Sequence, residues 1–196
     1  MTLFTTGDGN TPFTPEEQAD LIPNLATKEE LNQWERENIL VAYSWALHPR
    51  TLAREDALSE SYLRALHQRM FGETWRWAGL YRSSEKNIGV PHHLIREQLA
   101  ILIGDTRYWI EHATFAPDEI ALRFHHRLVF LHPFANGNGR HARLMADVLA
   151  KQQGRPEFTW GSADIVAPGD IRRRYIDALR AADKNDMQPL FAFARS

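Results

Sequence analysis

The sequence predicts a mainly α-helical protein, a helical bundle interrupted by one short β-hairpin. Apolar residues recur at three- and four-residue intervals along most of the chain, the pattern of an amphipathic helix with one buried stripe. The helical stretches open on Thr, Asp or Pro and close on Gly or Pro, residues that start and stop helices. Only residues 82–90, RSSEKNIGV, read as a hairpin, turning near Lys86 and Asn87.

Residues 1–15 hold Thr, Gly, Asn, Asp and Pro and form an irregular lead-in that Phe4 or Phe13 can anchor. Thr14 caps a short helix over 16–21 with Pro15 at its first position, and Pro23 ends it. Thr27 and Glu30 make a capping box, so a helix is expected over 28–47. Its stripe is Leu31, Trp34, Val41, Ala42 and Trp45, with the tryptophans filling core. His48-Pro49-Arg50 breaks this helix. Another follows over 55–71 through Ala57, Tyr62, Leu66 and Met70, closed by Gly72. Trp75, Trp77, Leu80 and Tyr81 surround Gly79 without helical period, as in a packed, irregular bridge. Pro91 opens a helix running to about His112 through Ile95, Leu99, Leu102 and Ile103, with His92 and His93 on its surface. Asp118 starts the next, through Ile120, Phe124 and Leu128. Adjacent His125 and His126 lack the i, i+4 partner of a helical zinc pair and read as packing or surface residues. Leu144, Met145, Val148 and Leu149 mark a helix beginning near Gly139 and ending at 154–156. Asp170 or the turn before it starts a last long helix through Ile171, Tyr175, Ala178 and Leu179, and 189–193 make a final turn. The expected organisation is a lead-in and helix, 1–50, packed on a core domain, 51–196.

At 196 residues the chain is long enough for a sizeable core. Its 23 Lys and Arg against 25 Asp and Glu give a formal charge of −2, so no basic excess points to nucleic acid or an anionic membrane. The absence of Cys excludes disulfides, thiolate chemistry and Cys-based zinc sites. No apolar run is long enough to span a bilayer. The first residues have neither a basic region nor an apolar core, so the expected location is cytoplasmic.

The densest chemistry lies at 132–143, HPFANGNGRHAR. A loop of Gly137, Asn138 and Gly139 leaves backbone N–H groups uncovered, and the helix start after it adds its own unpaired N–H groups and positive dipole end. Together they form an anion seat suited to phosphate. Arg140 and Arg143, three apart, share a helix face and can clamp phosphate oxygens bidentately. His132 at the loop entrance is placed to act as a general base.

This stretch resembles the signature of the Fic family, His-x-Phe-x-(Asp or Glu)-Gly-Asn-Gly-Arg-x-x-Arg, with Asn136 standing where the family has Asp or Glu. The resemblance extends through LHQRMFGETWRWAGLYR (66–82), Glu85-Lys86-Asn87, and the 175–179 and 189–190 segments, and so covers about residues 50–193; it also touches a branch of the family carried on mobile elements. It implies a Fic-like helical bundle and a protein adenylyltransferase that moves AMP from ATP, with Mg2+, onto a Ser, Thr or Tyr hydroxyl of a protein target. His132 would take the hydroxyl proton, Gly137, Asn138 and Gly139 would cradle the inner phosphates, and Arg140 and Arg143 the outer ones. Asn136 would be the Mg2+ ligand, bringing an oxygen without charge and hence weaker affinity. Lys86, Asn87, Ile88, Gly89 and Val90 would form the flap that aligns the target by strand-like pairing. Glu37, followed by Asn38, matches the end of the family's inhibitory pattern, although Gln33 stands where Ser or Thr is usual; it would pair with Arg143. Alternatives that remain open are transfer of another nucleotide or phosphate group, and a weakly active nucleotide-binding member of a toxin–antitoxin-like pair.

Overall fold

A computed structural model describes residues 12–162 and 169–196; the lead-in before residue 12, including Phe4, lies outside the described residues. The chain folds into helices α1 (Pro15–Ala19), α2 (Lys28–Ala46), α3 (Pro49–Arg54), α4 (Glu60–Phe71), α5 (Ile95–Glu111), α6 (Pro117–Leu131), α7 (Asn138–Gln152), α8 (Asp170–Ala182) and α9 (Gln188–Ala194). Short 3-10 turns at His92–Leu94 and Trp160–Ser162 join them.

Local chemistry explains the starts. Thr14 with Glu17 and Thr27 with Glu30 form full capping boxes, satisfying N–H groups that α1 and α2 leave unpaired. Pro sits in the first turn of α1, α3, α6 and α9, where a missing N–H costs nothing.

α7 is the central element. Its residues from His141 to Ala150 are buried, Arg143 excepted. It packs on α6 along its length, α5 covers α6, α2 lies on α4, and α8 pairs with α9. Phe71, Leu66, Met70, Phe124, Leu122 and Met145 are fully enclosed where these layers meet. Each such side chain contributes about 1.5–3 kcal/mol by leaving water, so the α6–α7 junction that carries the site is set in the buried core.

Four expectations are corrected. The buried positions of α2 are Leu31, Glu35, Ala42 and Ala46, which turns Trp34 and Val41 outward at 40% and 72% exposure. Trp45 packs against the core as expected, and the buried tryptophans are Trp75, Trp77 and Trp160. His48-Pro49 does not only break α2 but starts α3, the His48 Nδ1 accepting the Arg50 N–H at 3.1 Å. α4 begins later than residue 55, behind Ser59 as its cap. The hairpin over 82–90 does not form: among the described residues β pairing is limited to isolated bridges, Leu21 with Trp75 and Tyr81 with Phe134. The two ends of that segment pair with the end of α6 instead of each other. The Arg82 N–H donates to the Pro133 carbonyl at 3.0 Å and the Val90 N–H to that of Leu131 at 3.4 Å.

Candidate active site

α6 ends at Leu131, and His132 caps it in the left-handed region, with φ 55° and ψ 60°. Pro133, with its fixed φ and no N–H, cannot continue the helix. The left-handed conformation costs a non-glycine residue about 1–2 kcal/mol. Arg82 offsets it. This buried arginine donates from Nε to the His132 carbonyl at 2.7 Å, from Nη1 to that of Ser84 at 2.9 Å and from Nη2 to that of Val90. One guanidinium therefore ties the 82–90 loop to the histidine.

The loop after His132 is held from below. Phe134 is fully buried and stacks on the His67 ring, centroids 3.7 Å apart and 20° between planes. His67 Nδ1 accepts the Gly79 N–H at 3.0 Å, which leaves Nε2 as the donor to the Asn136 carbonyl at 3.0 Å. Burial holds the His67 pKa well below its usual value, so the ring stays neutral and this tautomer is fixed. Asn138 braces the loop from the other side. Its Oδ1 accepts the Phe134 N–H and its Nδ2 donates to the Phe134 carbonyl, each at 2.9 Å. Its side chain is thus structural, and only its backbone can face a phosphate. Gly137 has φ 77°, and a Cβ there would lie 2.5 Å from the Phe71 ring, so the turn accepts only glycine. The N–H groups of the first turn of α7 have no carbonyl partner within the helix and, with the dipole, face this turn.

Arg140 and Arg143 lie on α7 but have different partners. Arg140 sits over the Phe71 ring at 4.7 Å and pairs through Nη1 with Glu35 Oε2; Glu35 also accepts the Trp75 Nε1–H at 2.8 Å. Arg143 lies 5.3 Å from the centroid of buried Tyr175, and burial lowers its pKa from the ordinary value, against the Tyr175 contact, which raises it. The Tyr175 hydroxyl in turn meets His125 Nε2 at 3.1 Å, so His125 is a packing residue as expected.

His132 is 6% exposed. Burial, and then the charge of Arg82, push its pKa down to about 4, so the imidazole is neutral and able to accept a proton at neutral pH. The 82–90 loop covers it: a Cβ on Gly89 would sit 2.6 Å from the His132 Cβ. Lys86 is turned away, donating to Glu17 and, at 3.0 Å, to the Pro12 carbonyl. Asn87, Ile88 and Gly89 form the exposed rim of the loop.

Two expected residues are placed differently. Glu37 faces solvent, accepts from Gln33 Nε2 at 3.4 Å and does not meet Arg143; Glu35, half a turn earlier, is the carboxylate that reaches the cradle, through Arg140. Asn136 Oδ1 accepts the Gly137 N–H at 2.7 Å, folding back on its own loop. As a Mg2+ seat it is a single neutral oxygen already engaged. Sequence reasoning missed Glu35, His67, Arg82 and Tyr175 as parts of the site.

Residues 57–150 match the Fic/DOC family. Protein adenylyltransferase Fic of Aedes aegypti is 26% identical over 144 residues, 71% of this chain and 28% of that protein. The Drosophila melanogaster protein of the same name is 30% identical over 132 residues, 65% of this chain and 25% of that protein. The chain thus spans about a quarter of the length of these relatives. Among solved structures, a fragment of Fic-1 from C. elegans superposes with a TM-score of 0.60 at 25% identity, covering 91% of this chain and 51% of that one. BepC of Bartonella tribocorum, with bound AMPPNP, gives 0.68 at 17% identity over 93% and 97%.

Proposed function

Because the chain carries a Fic/DOC family domain over residues 57–150, we propose that it is a protein adenylyltransferase that moves AMP from ATP to the hydroxyl of a Ser, Thr or Tyr on a target protein. The observation that carries this reading is a neutral imidazole, His132, at the mouth of a glycine turn that opens directly into the N-terminus of α7. In the reaction the target oxygen attacks the α-phosphorus and its proton passes to the His132 imidazole. The bond to the β-phosphate breaks and pyrophosphate leaves. The protein's task is mainly positioning and charge stabilisation. Backbone N–H groups of 138 and 139 hold the inner phosphates, joined by that of Gly137 once Asn136 Oδ1 releases it, and Arg140 and Arg143 hold the outer ones. Related proteins named as adenylyltransferases, and the AMPPNP bound to BepC, support a nucleotide donor here.

Mg2+ bound with the nucleotide would neutralise the departing pyrophosphate, and Asn136 is the loop side chain that would meet it. One neutral amide oxygen fits such an ion only as a minor ligand, with phosphates and water completing the shell. That departure favours, as a second reading, a slow enzyme or one with another donor.

In the target-positioning step, the rim Asn87, Ile88 and Gly89 offers backbone to an incoming extended segment, with Lys86 and Val90 as its anchors. Residues 51–196 form the transferring unit in this reading, and 1–50 restrain it. The restraint is Glu35: it holds Nη1 of Arg140, and phosphates gain the whole guanidinium fork only by displacing it. No described helix is long and apolar enough to cross a membrane. The test is labelled ATP with lysate: the wild type labels a protein band and folded His132→Ala does not. Labelling by that variant would remove His132 from the base role.

A further inference from the structure

Away from the phosphate cradle, one cluster of side chains remains unused by the reaction. We propose that Glu85, His92 and His93 form a binding site for a transition-metal dication of the Zn2+ type, which staples the 82–90 loop to the turn His92–Leu94. Each of these residues brings one ligand atom, and the three atoms lie within 4.8 Å of one another. Among the described residues this is the one group of three or more His and acidic side chains so arranged.

The cluster is built, not merely adjacent. Glu85 Oε1 meets His92 Nδ1 at 2.7 Å and accepts the His92 backbone N–H at 3.2 Å, which fixes the carboxylate against the turn. The two imidazoles stand edge to face at 89° with centroids 5.7 Å apart, which keeps both rings beside the carboxylate without stacking them on each other. Around a tetrahedral Zn2+ with bonds near 2.0–2.1 Å, ligand atoms are about 3.3 Å apart. The three atoms therefore close by side-chain rotation of about 1–1.5 Å at most, which these solvent-reaching side chains can make. Two imidazoles and a carboxylate suit Zn2+, Co2+ or Ni2+, whereas Mg2+ prefers an all-oxygen shell. Three protein ligands leave a position for water.

The site has a mechanical consequence. Glu85 Oε2 lies 3.7 Å from Arg82 Nη1, and Arg82 holds the carbonyls of His132 and Val90. A metal on Glu85 would hold the loop against the same arginine that sets His132. Binding of the ion itself stands whether or not AMP transfer is the reaction.

The experiment is calorimetric titration of chelator-stripped protein with ZnCl2, in a buffer with excess Mg2+. The wild type is expected to take up a single Zn2+ per chain. His93→Ala and Glu85→Gln should each weaken it by more than the ~10–100-fold typical of losing an outer-shell partner, while His112→Ala leaves it unchanged. In the wild type, proton NMR should show the His92 and His93 ring signals, but not those of His48, shifting with zinc. No stoichiometric uptake, uptake abolished by Mg2+, or ring shifts confined to other histidines would reduce the cluster to a surface ion pair and overturn the proposal.

Discussion

Glu35→Gln is the substitution that separates this account from a purely structural one. The Glu35–Arg140 pair is largely enclosed, with side-chain exposures of 8% and 19%. Exposed pairs contribute about 0–1 kcal/mol, and breaking a fully buried one costs about 3–5 kcal/mol. This pair lies between, near its lower bound because Arg140 keeps contact with water, so about 1–2 kcal/mol holds the guanidinium away from phosphate. At about 1.4 kcal/mol per tenfold, releasing it should tighten binding of a triphosphate by about 5–30-fold. The glutamine oxygen still accepts from Trp75 Nε1, so α2 stays docked. Calorimetric titration with a non-hydrolysable ATP analogue measures the change, and Glu37→Gln is the control, expected to leave affinity unchanged. A folded Glu35→Gln protein with unaltered or weaker affinity would refute the reasoning.

Other outcomes follow from the same geometry. Burial depresses the pKa values of His125 to about 3 and of His132 and His141 to about 4. Folding therefore excludes protons that the unfolded chain binds below about 6.5, and stability falls as pH drops from there toward 4, by up to ~1.4 kcal/mol per unit for each ring. Asp147, raised to about 7 by burial, acts in the opposite sense, its contribution being lost as pH rises through 7, but it is one group against four, since burial also holds His67 well below its usual value. The Tm should fall between about pH 7 and about pH 5.5; a flat or rising Tm would contradict this. Gly89→Ala places a methyl against His132 at φ 98°, so transfer activity should drop by tenfold or more, about 1.4 kcal/mol, while circular dichroism shows the same helix content; full activity would mean the loop moves freely. Asn136→Asp adds a charge at the metal position and should lower the Mg2+ concentration giving half-maximal activity; no change would place the ion elsewhere.

The parts of the fold legible in the sequence were those set by neighbours in the chain. Thr14–Glu17 and Thr27–Glu30 are capping boxes because side chain and backbone meet within one turn, and both helices start where those pairs put them. α3 was hidden because its cap is an imidazole and its length of six residues shows no periodicity. The stripe of α2 was read in part: Leu31, Ala42 and Trp45 do pack on the core, but Trp34 and Val41 outweighed the acidic Glu35. Burial of Glu35 is decided by Trp75 and Arg140, 40 and 105 residues away. The 82–90 segment has the composition of a hairpin, but Arg82 supplies from its side chain the bonds a second strand would have made. His132 and the glycine turn were legible as a contiguous motif. His67, which fixes that turn from a different helix, was not, since its partners are the carbonyl of Asn136 and the N–H of Gly79.

The central claim is that the α-phosphorus of a nucleotide meets the target hydroxyl beside His132. The most direct measurement is parallel labelling of lysate with ATP carrying its label on the α- or on the γ-phosphate. Label from the α-position should appear on protein and label from the γ-position should not; γ-label on the target, or none from either with folded protein, would contradict AMP transfer.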